Sequence, residues 1–256
     1  VAAARLGGDV CLIAKVGNDP LGSRSVDQYR AEGINVDYIG VDHDSPSGVA
    51  LIMVDEHGEN SISVASGANM ALCVTDVDRA KKVIAEADIV LMQLEIPMEV
   101  VEHAARRAHG MGKRVILNPA PAHVLSDSLL RSLYVLIANE TEAEFISGTQ
   151  ITDMDSVARA ADIISSKGVE NVVITLGSKG AFIKQKGIYR HIQGYKVKVV
   201  DATAAGDTFC GAVCVALAEN RPLAEAVEFA NHCASVTVTR RGAQTSLPYR
   251  SEVEGS

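Results

Sequence analysis

The stretch from Asp201 to Gly211, D-A-T-A-A-G-D-T-F-C-G, holds the residues best placed to do chemistry. Val197 and Val199 alternate into it as a strand, and Phe209, Ala212, Val213, Ala216 and Leu217 leave it at helical spacing. Small residues, a glycine and Asp207 lie between. That order predicts a strand, a turn of nearly bare backbone, and a helix whose first turn carries a carboxylate. N–H groups at such a helix start lack intrahelical acceptors, and the helix dipole adds positive potential there. A carboxylate beside an anion-binding turn is what phosphoryl transfer to a hydroxyl requires. One group takes the proton while the others hold developing negative charge. Asp207 as a plain helix cap is the alternative.

Such a turn needs a framework to hold it. Ile89–Gln93, Val115–Asn118, Tyr134–Asn139 and Val172–Leu176 read as short buried strands. Helices are expected between them, at about Asp76–Ala87, Glu99–His109 and Asp155–Lys167, with Gly110 and Gly168 as stops. This alternation predicts an α/β fold, a mostly parallel sheet with helices on both faces. Ligands in such sheets sit at the carboxyl ends of the strands. Gln93 and Glu95, Asn118, Asn139 and Glu140, and Gly177 to Gly180 all fall there. Gly48–Val54 and Ser61–Ala65, joined by D-E-H-G-E-N, read as a hairpin-like pair forming a small β-flap. A second hairpin is expected from Ala181–Gln185 and Ile188–Gln193 across Lys186-Gly187. Val1 to Leu6 is a strong helix former stopped by Gly7-Gly8, and it looks like the second half of a helix.

Composition narrows the function. The 256 residues fit one large domain or two small ones, and 47% hydrophobic residues indicate a globular chain. Aromatics make up 4%, tryptophan is absent and the net charge is −8, which disfavours nucleic-acid binding and ring-lined polysaccharide clefts. The five cysteines contain no CxxC and read as small packed residues in a reducing compartment. There is no HExxH, no GxGxxG and no GxxxxGK[ST], so a phosphate cradle must take another form. No apolar run reaches membrane-spanning length and no signal peptide is visible, so the cytoplasm is the expected location, with no membrane partner.

Six short segments occur in a fixed order: Met92-Gln93-Leu94-Glu95, Asn118-Pro119-Ala120-Pro121, Asn139-Glu140-Thr141-Glu142, Thr175–Gly180, Asp201–Phe209 and Thr239-Arg240-Arg241-Gly242-Ala243-Gln244. Together they resemble the motifs of the ribokinase-like carbohydrate kinases, in register from Val1 to about Arg250, and those of the ribokinase branch most closely. The resemblance implies one ribokinase-like domain over 1–256, with 36–66 as an incomplete β-lid. It implies ATP-dependent phosphorylation of ribose at the 5-hydroxyl, with ATP and a small sugar as ligands. Asp207 would be the base, and the N–H groups of Ala204, Ala205, Gly206 and Asp207 the anion hole. Asn139, Thr175, Leu176, Gly177, Ser178, Lys179, Gly180 and Gly206 would contact the nucleotide, and Asn231 would lie near the adenine. Glu95 would hydrogen-bond the sugar. Glu142 would help hold Mg²⁺ through water. A monovalent cation, K⁺ by the family's pattern, would sit among Asp201, Thr203, Thr237, Arg240, Gly242 and Ser246, with Arg240 counted for its carbonyl. A homodimer formed through the lid is implied as well.

Two departures stand out. Ala202 replaces the signature's usual threonine. The family's members also carry several tens of residues before the point matching Val1, with a first strand and a G-G-K-G-A-N sugar loop. The 256 residues alone are therefore expected to fold poorly and to turn over little ribose. A 2-deoxyribokinase is the nearest alternative, and a catalytically silent nucleotide-binding fragment is the alternative of another class.

Overall fold

The apolar runs become strands for a simple reason: consecutive residues within them are buried, and in a strand consecutive side chains face opposite ways. The computed structural model describes residues 1–54 and 60–254. The chain divides into two compact units, Val1–Ala80 together with Lys196–Ser256, and Lys81–Tyr195.

The first unit begins with α1 (Ala2–Arg5), β1 (Ala14–Gly17), α2 (Pro20–Ala31), β2 (Ile39–Asp42), β3 (Val49–Val54), β4 (Asn60–Ala65) and α3 (Val74–Arg79). Asp19 caps α2 through the Gly22 N–H at 2.8 Å, and Pro20 occupies the first turn. The parallel pair β1–β2 runs from Ala14 opposite Ile39 to Gly17 opposite Asp42. The antiparallel pair β3–β4 runs from Val49 opposite Ala65 to Val54 opposite Asn60. The expected flap is thus present as a two-stranded ribbon; its turn, 55–59, lies outside the described residues. Val49, Leu51 and Met53 share one face of β3 and are exposed.

The second unit holds α4 (Lys81–Glu86), β5 (Ile89–Met92), α5 (Met98–Gly110), β6 (Arg114–Leu117), α6 (Asp127–Leu130), β7 (Val135–Asn139), α7 (Glu140–Ser147), α8 (Met154–Ser166), β8 (Asn171–Thr175), β9 (Ala181–Gln185) and β10 (Ile188–Ile192). They build one six-stranded sheet in the order β10-β9-β8-β7-β6-β5. β5 to β8 are parallel, and β9 and β10 return antiparallel. Val135–Ala138 and Asn171–Ile174 are buried without a break, so both faces of the central strands are covered. Lys186 and Gly187 take φ of 50° and 76°, which gives the expected tight turn its hairpin geometry.

Two expected boundaries shift. The helix expected at Asp76–Ala87 is two helices, α3 and α4, because fully buried Ala80 turns its N–H onto Val77, three residues back. Gly110 remains helical; Gly112, at φ 71°, is the residue past the end of α5 that reverses the chain, and Lys113 N–H bonds back to Ala108.

The first unit resumes with α9 (Ala205–Ala218), α10 (Leu223–Thr237) and α11 (Arg250–Val253). Thr208 through Leu217 are buried all round the helix, and α9 packs on α10 and α1. The strand expected through Val197 and Val199 does not form. Both valines are exposed, and the N–H groups of Val200 and Asp201 donate to the Val238 carbonyl at 2.8 and 3.2 Å, not to a neighbouring strand. Alternation set the side-chain faces, but pairing needs a partner strand.

Candidate active site

In the first unit the turn before α9 is held in an uncommon backbone conformation. Ala204 precedes the helix at φ 63°, a left-handed position that an alanine adopts at a cost. It aims the following N–H groups outward. Those of Ala204, Gly206 and Asp207 meet no acceptor among the described residues, while Ala205 N–H turns back to the Ala202 carbonyl at 3.3 Å. The Ala204 carbonyl, in turn, is fixed by both the N–H and the hydroxyl of Thr208, each at 2.9 Å. Thr208 hydroxyl also meets the hydroxyl of Thr237 at 2.9 Å, tying the turn to α10.

Asp207 stands in the first turn of α9, with no side-chain cap on the helix start. Solvent reaches its carboxylate, yet protein atoms crowd it. Surface area decides whether a hydroxyl can approach; crowding decides the charge, and burial pushes the carboxyl pKa up. A raised carboxylate pKa makes a better proton acceptor.

Behind this turn Asp201 is buried. Its oxygens accept Thr203 N–H and Gly242 N–H, both at 2.9 Å, and hydrogen bonds from Thr203 and then Gly242 hold its pKa down. One carboxylate therefore joins the 201–203 turn to the 240–246 loop. Thr237 and Ser246 are fully buried, their hydroxyls donating to the carbonyls of Cys233 and Ala243 at 3.2 and 2.7 Å. Arg240 sends its guanidinium to Glu252 at 2.7 Å. Asn231 is buried on α10.

In the second unit the polar residues follow the ends of the parallel strands, as expected: Gln93 after β5, Asn118 after β6, Asn139 ending β7 and Thr175 ending β8. Asn139 caps α7, accepting Glu142 N–H at 2.8 Å, and Glu142 accepts Asn139 N–H and its side-chain amide, both at 3.0 Å. Asn118 adds its amide to the same carboxylate at 3.4 Å and to the Ile137 carbonyl at 3.0 Å. Glu142, whose spacing alone would also suit a solvated first-turn charge, is buried. Burial pushes its pKa up while the asparagine N–H groups pull it back. Asn118 belongs to a quoted motif, but its hold on Glu142 is a tertiary contact between two strand ends that spacing does not show.

The loop from Thr175 to Gly180 closes on itself. Leu176 N–H reaches the Gly180 carbonyl at 2.8 Å, Lys179 N–H reaches Leu176 at 3.1 Å, and Gly180 N–H reaches Gly177 at 3.0 Å. The N–H groups of Gly177 and Ser178 meet no acceptor among the described residues. Glu95 is exposed after β5, its N–H held by the Gln93 side chain. Among the described residues no group of three His, Cys, Asp or Glu side chains is placed to hold a metal. No described helix is long and apolar enough to cross a membrane.

A sheet with polar strand ends, an N-x-x-E cap and a left-handed turn feeding an aspartate-bearing helix define a phosphotransferase of one family. The pattern of the pfkB family carbohydrate kinases matches residues 1–250, and the chain belongs to that family. Among its relatives, the ribokinase of Haemophilus influenzae is 44% identical over 252 residues, which is 98% of this chain and 82% of that protein. The deoxyribokinase of Salmonella typhi is 33% identical, over 97% of this chain and 81% of its own. The solved Arabidopsis thaliana ribokinase, complexed with ribose and ATP, superposes with a TM-score of 0.93 at 30% identity, covering 99% of this chain and 83% of that one.

Proposed function

We infer that this chain is a ribokinase, transferring the γ-phosphoryl group of ATP to the 5-hydroxyl of D-ribose. The carrying observation is Asp207 in the first turn of α9, beside the N–H groups of Ala204 and Gly206, which meet no acceptor among the described residues. Similarity to ribokinases, at 44% identity in one case, supports ribose as the sugar.

Asp207 takes the proton of the hydroxyl as its oxygen attacks the γ-phosphorus. A new O–P bond forms, the bond to the bridging oxygen breaks, and ADP leaves with the electron pair. The N–H groups of the turn hold the charge of the transferring group, and solvent access lets Asp207 release its proton afterwards. Asn139 and the Gly177–Gly180 loop hold the nucleotide, with Thr175, Leu176, Ser178 and Lys179 lining it and Asn231 beside its base. Glu95 hydrogen-bonds the sugar.

The Glu142 carboxylate suits Mg²⁺: it is an anionic oxygen donor, and since both its oxygens already receive amide N–H groups it would act through a metal-bound water. The ion would neutralise phosphate charge. Asp201, Thr203, Thr237, Gly242, Ser246 and the Arg240 carbonyl offer oxygen donors that suit a monovalent cation, K⁺ by preference. Residues 1–256 act as one kinase domain with 36–66 as part of a lid. Exposed Val49, Leu51 and Met53 would pair two lids in a homodimer. The protein would work in the cytoplasm.

The test is an ATP-coupled assay with ribose, 2-deoxyribose, fructose and adenosine. Ribose should give the highest kcat/KM. Preferred 2-deoxyribose would make the chain a deoxyribokinase, and preferred adenosine would overturn the assignment.

A further inference from the structure

The motif Thr175–Gly180 ends at Gly180, but what holds it lies further on. Lys179 carbonyl receives two donors from beyond β9: His191 Nε2 at 2.8 Å and Gly194 N–H at 3.3 Å. The Gln193 side-chain amide lies 3.3 Å from His191 Nδ1. An amide nitrogen donates, so Nδ1 accepts and the proton sits on Nε2, where it points at the carbonyl. The two backbones also touch: a Cβ on Gly180 would lie 2.1 Å from the Ile192 carbonyl, and a Cβ on Gly194 would lie 2.5 Å from the Ser178 carbonyl. The end of β10 is thus a brace laid against the loop. His191 is exposed on an edge strand, where nothing in its packing requires a histidine.

We propose that His191 is a positioning residue for the nucleotide loop, orienting the Lys179–Gly180 peptide so that the Gly177 and Ser178 N–H groups point at the phosphates of ATP. This rests on the assignment of Gly177–Gly180 to the nucleotide. The loop's own hydrogen bonds close a ring but leave its tilt free. A second anchor on the Lys179 carbonyl, outside the ring, sets that tilt. Losing it loosens the loop in the free enzyme, so that bound ATP must order it, which weakens ATP without touching the proton transfer at the sugar.

The experiment compares His191→Ala, His191→Gln and His191→Glu, with Gly177→Asn as a control on the loop. Asparagine tolerates the φ of 56° at position 177 and puts a side chain where a Cβ now meets nothing within 4 Å. KM for ATP, kcat, KM for ribose and the melting temperature are measured for each. One exposed neutral hydrogen bond corresponds to about a fivefold effect. His191→Ala should therefore raise KM for ATP about three- to tenfold, with ribose KM within error of the parent and the melting temperature lower by no more than about 2–4 °C. Glutamine keeps a donor near the Nε2 position and should restore most of the affinity; glutamate faces one acceptor with another and should be worse than alanine. Equal effects of alanine and glutamine, or a loss confined to kcat, would overturn the proposal. An unchanged KM in His191→Ala with a raised KM in Gly177→Asn would overturn it while leaving the loop's role intact. If neither variant moves KM for ATP, the loop assignment itself fails, and the proposal with it.

Discussion

Gly180 and Gly177 sit three residues apart in one loop, both with positive φ, yet alanine should act on them very differently. At Gly177, φ is 56° and the space around a Cβ is open within 4 Å. The cost there is the left-handed backbone alone, about 1–2 kcal/mol. At Gly180, φ is 95° with ψ −131°, outside the left-handed region and open essentially to glycine alone, and a Cβ would meet the Ile192 carbonyl at 2.1 Å and the Gly194 nitrogen at 2.4 Å. Those atoms are backbone, so they cannot swing away; the loop and the end of β10 must part. Overpacking of that kind adds about 1–3 kcal/mol to a backbone cost of about 1–3 kcal/mol, for a total of about 2–6 kcal/mol. With a urea slope of about 3 kcal/mol per M, the two midpoints should differ by about 0.3–1 M. Parting the loop from its brace also moves its N–H groups, so Gly180→Ala should raise KM for ATP more than Gly177→Ala does. Urea melts followed by circular dichroism, with steady-state kinetics on the same preparations, check both. Equal midpoints and equal KM values would refute the claim that glycine is required more strictly at 180 than at 177.

Asp207→Asn should keep ATP binding and lower kcat by about two to four orders of magnitude, the usual worth of a positioned base; turnover within tenfold of the parent would remove Asp207 from that role. The same variant should melt higher at pH 7. Burial raises the folded-state pKa of this carboxyl, so its ionised form opposes folding above that pKa, and the penalty disappears as pH falls through it. For the same reason the acid limb of kcat/KM for ribose should lie above the ordinary aspartate pKa of about 3.9, and should be lost in Asp207→Asn. Replacing K⁺ by Na⁺ at constant ionic strength should lower kcat more than ATP binding; equal rates in the two salts would count against a cation held by the 240–246 loop.

Much of the framework is legible in the sequence because its signals are local. Val135–Ala138 is apolar without alternation, as a strand covered on both faces must be, and Lys186-Gly187 can hardly do other than turn a hairpin. The turn before α9 is legible as a helix start carrying a carboxylate, where Asp207 as base and Asp207 as plain cap share one sequence pattern. What stays hidden depends on distant partners. Val197 and Val199 alternate like a strand, but the adjoining N–H groups of Val200 and Asp201 go to the end of α10. The same spacing fits Glu142 as a solvated charge, whereas the fold buries it under two asparagines from different strands. His191 belongs to no motif; only the return of the chain at Gly187 brings it back to Lys179.

The burial of α9 on every side has a kinetic meaning. A helix with no solvent-facing stripe cannot fray from its flank, so the amides from Phe209 to Leu217 exchange with deuterium only through openings that approach whole-unit unfolding. One turn earlier, the Gly206 and Asp207 amides meet no acceptor among the described residues and should exchange at nearly the rate of open chain. The sharpest gradient of amide protection in the first unit should therefore fall within a few residues of Asp207. Fluctuations that would blur the 204–207 turn are damped from below, and the N–H groups proposed to receive the phosphoryl group stay uncovered without being loose.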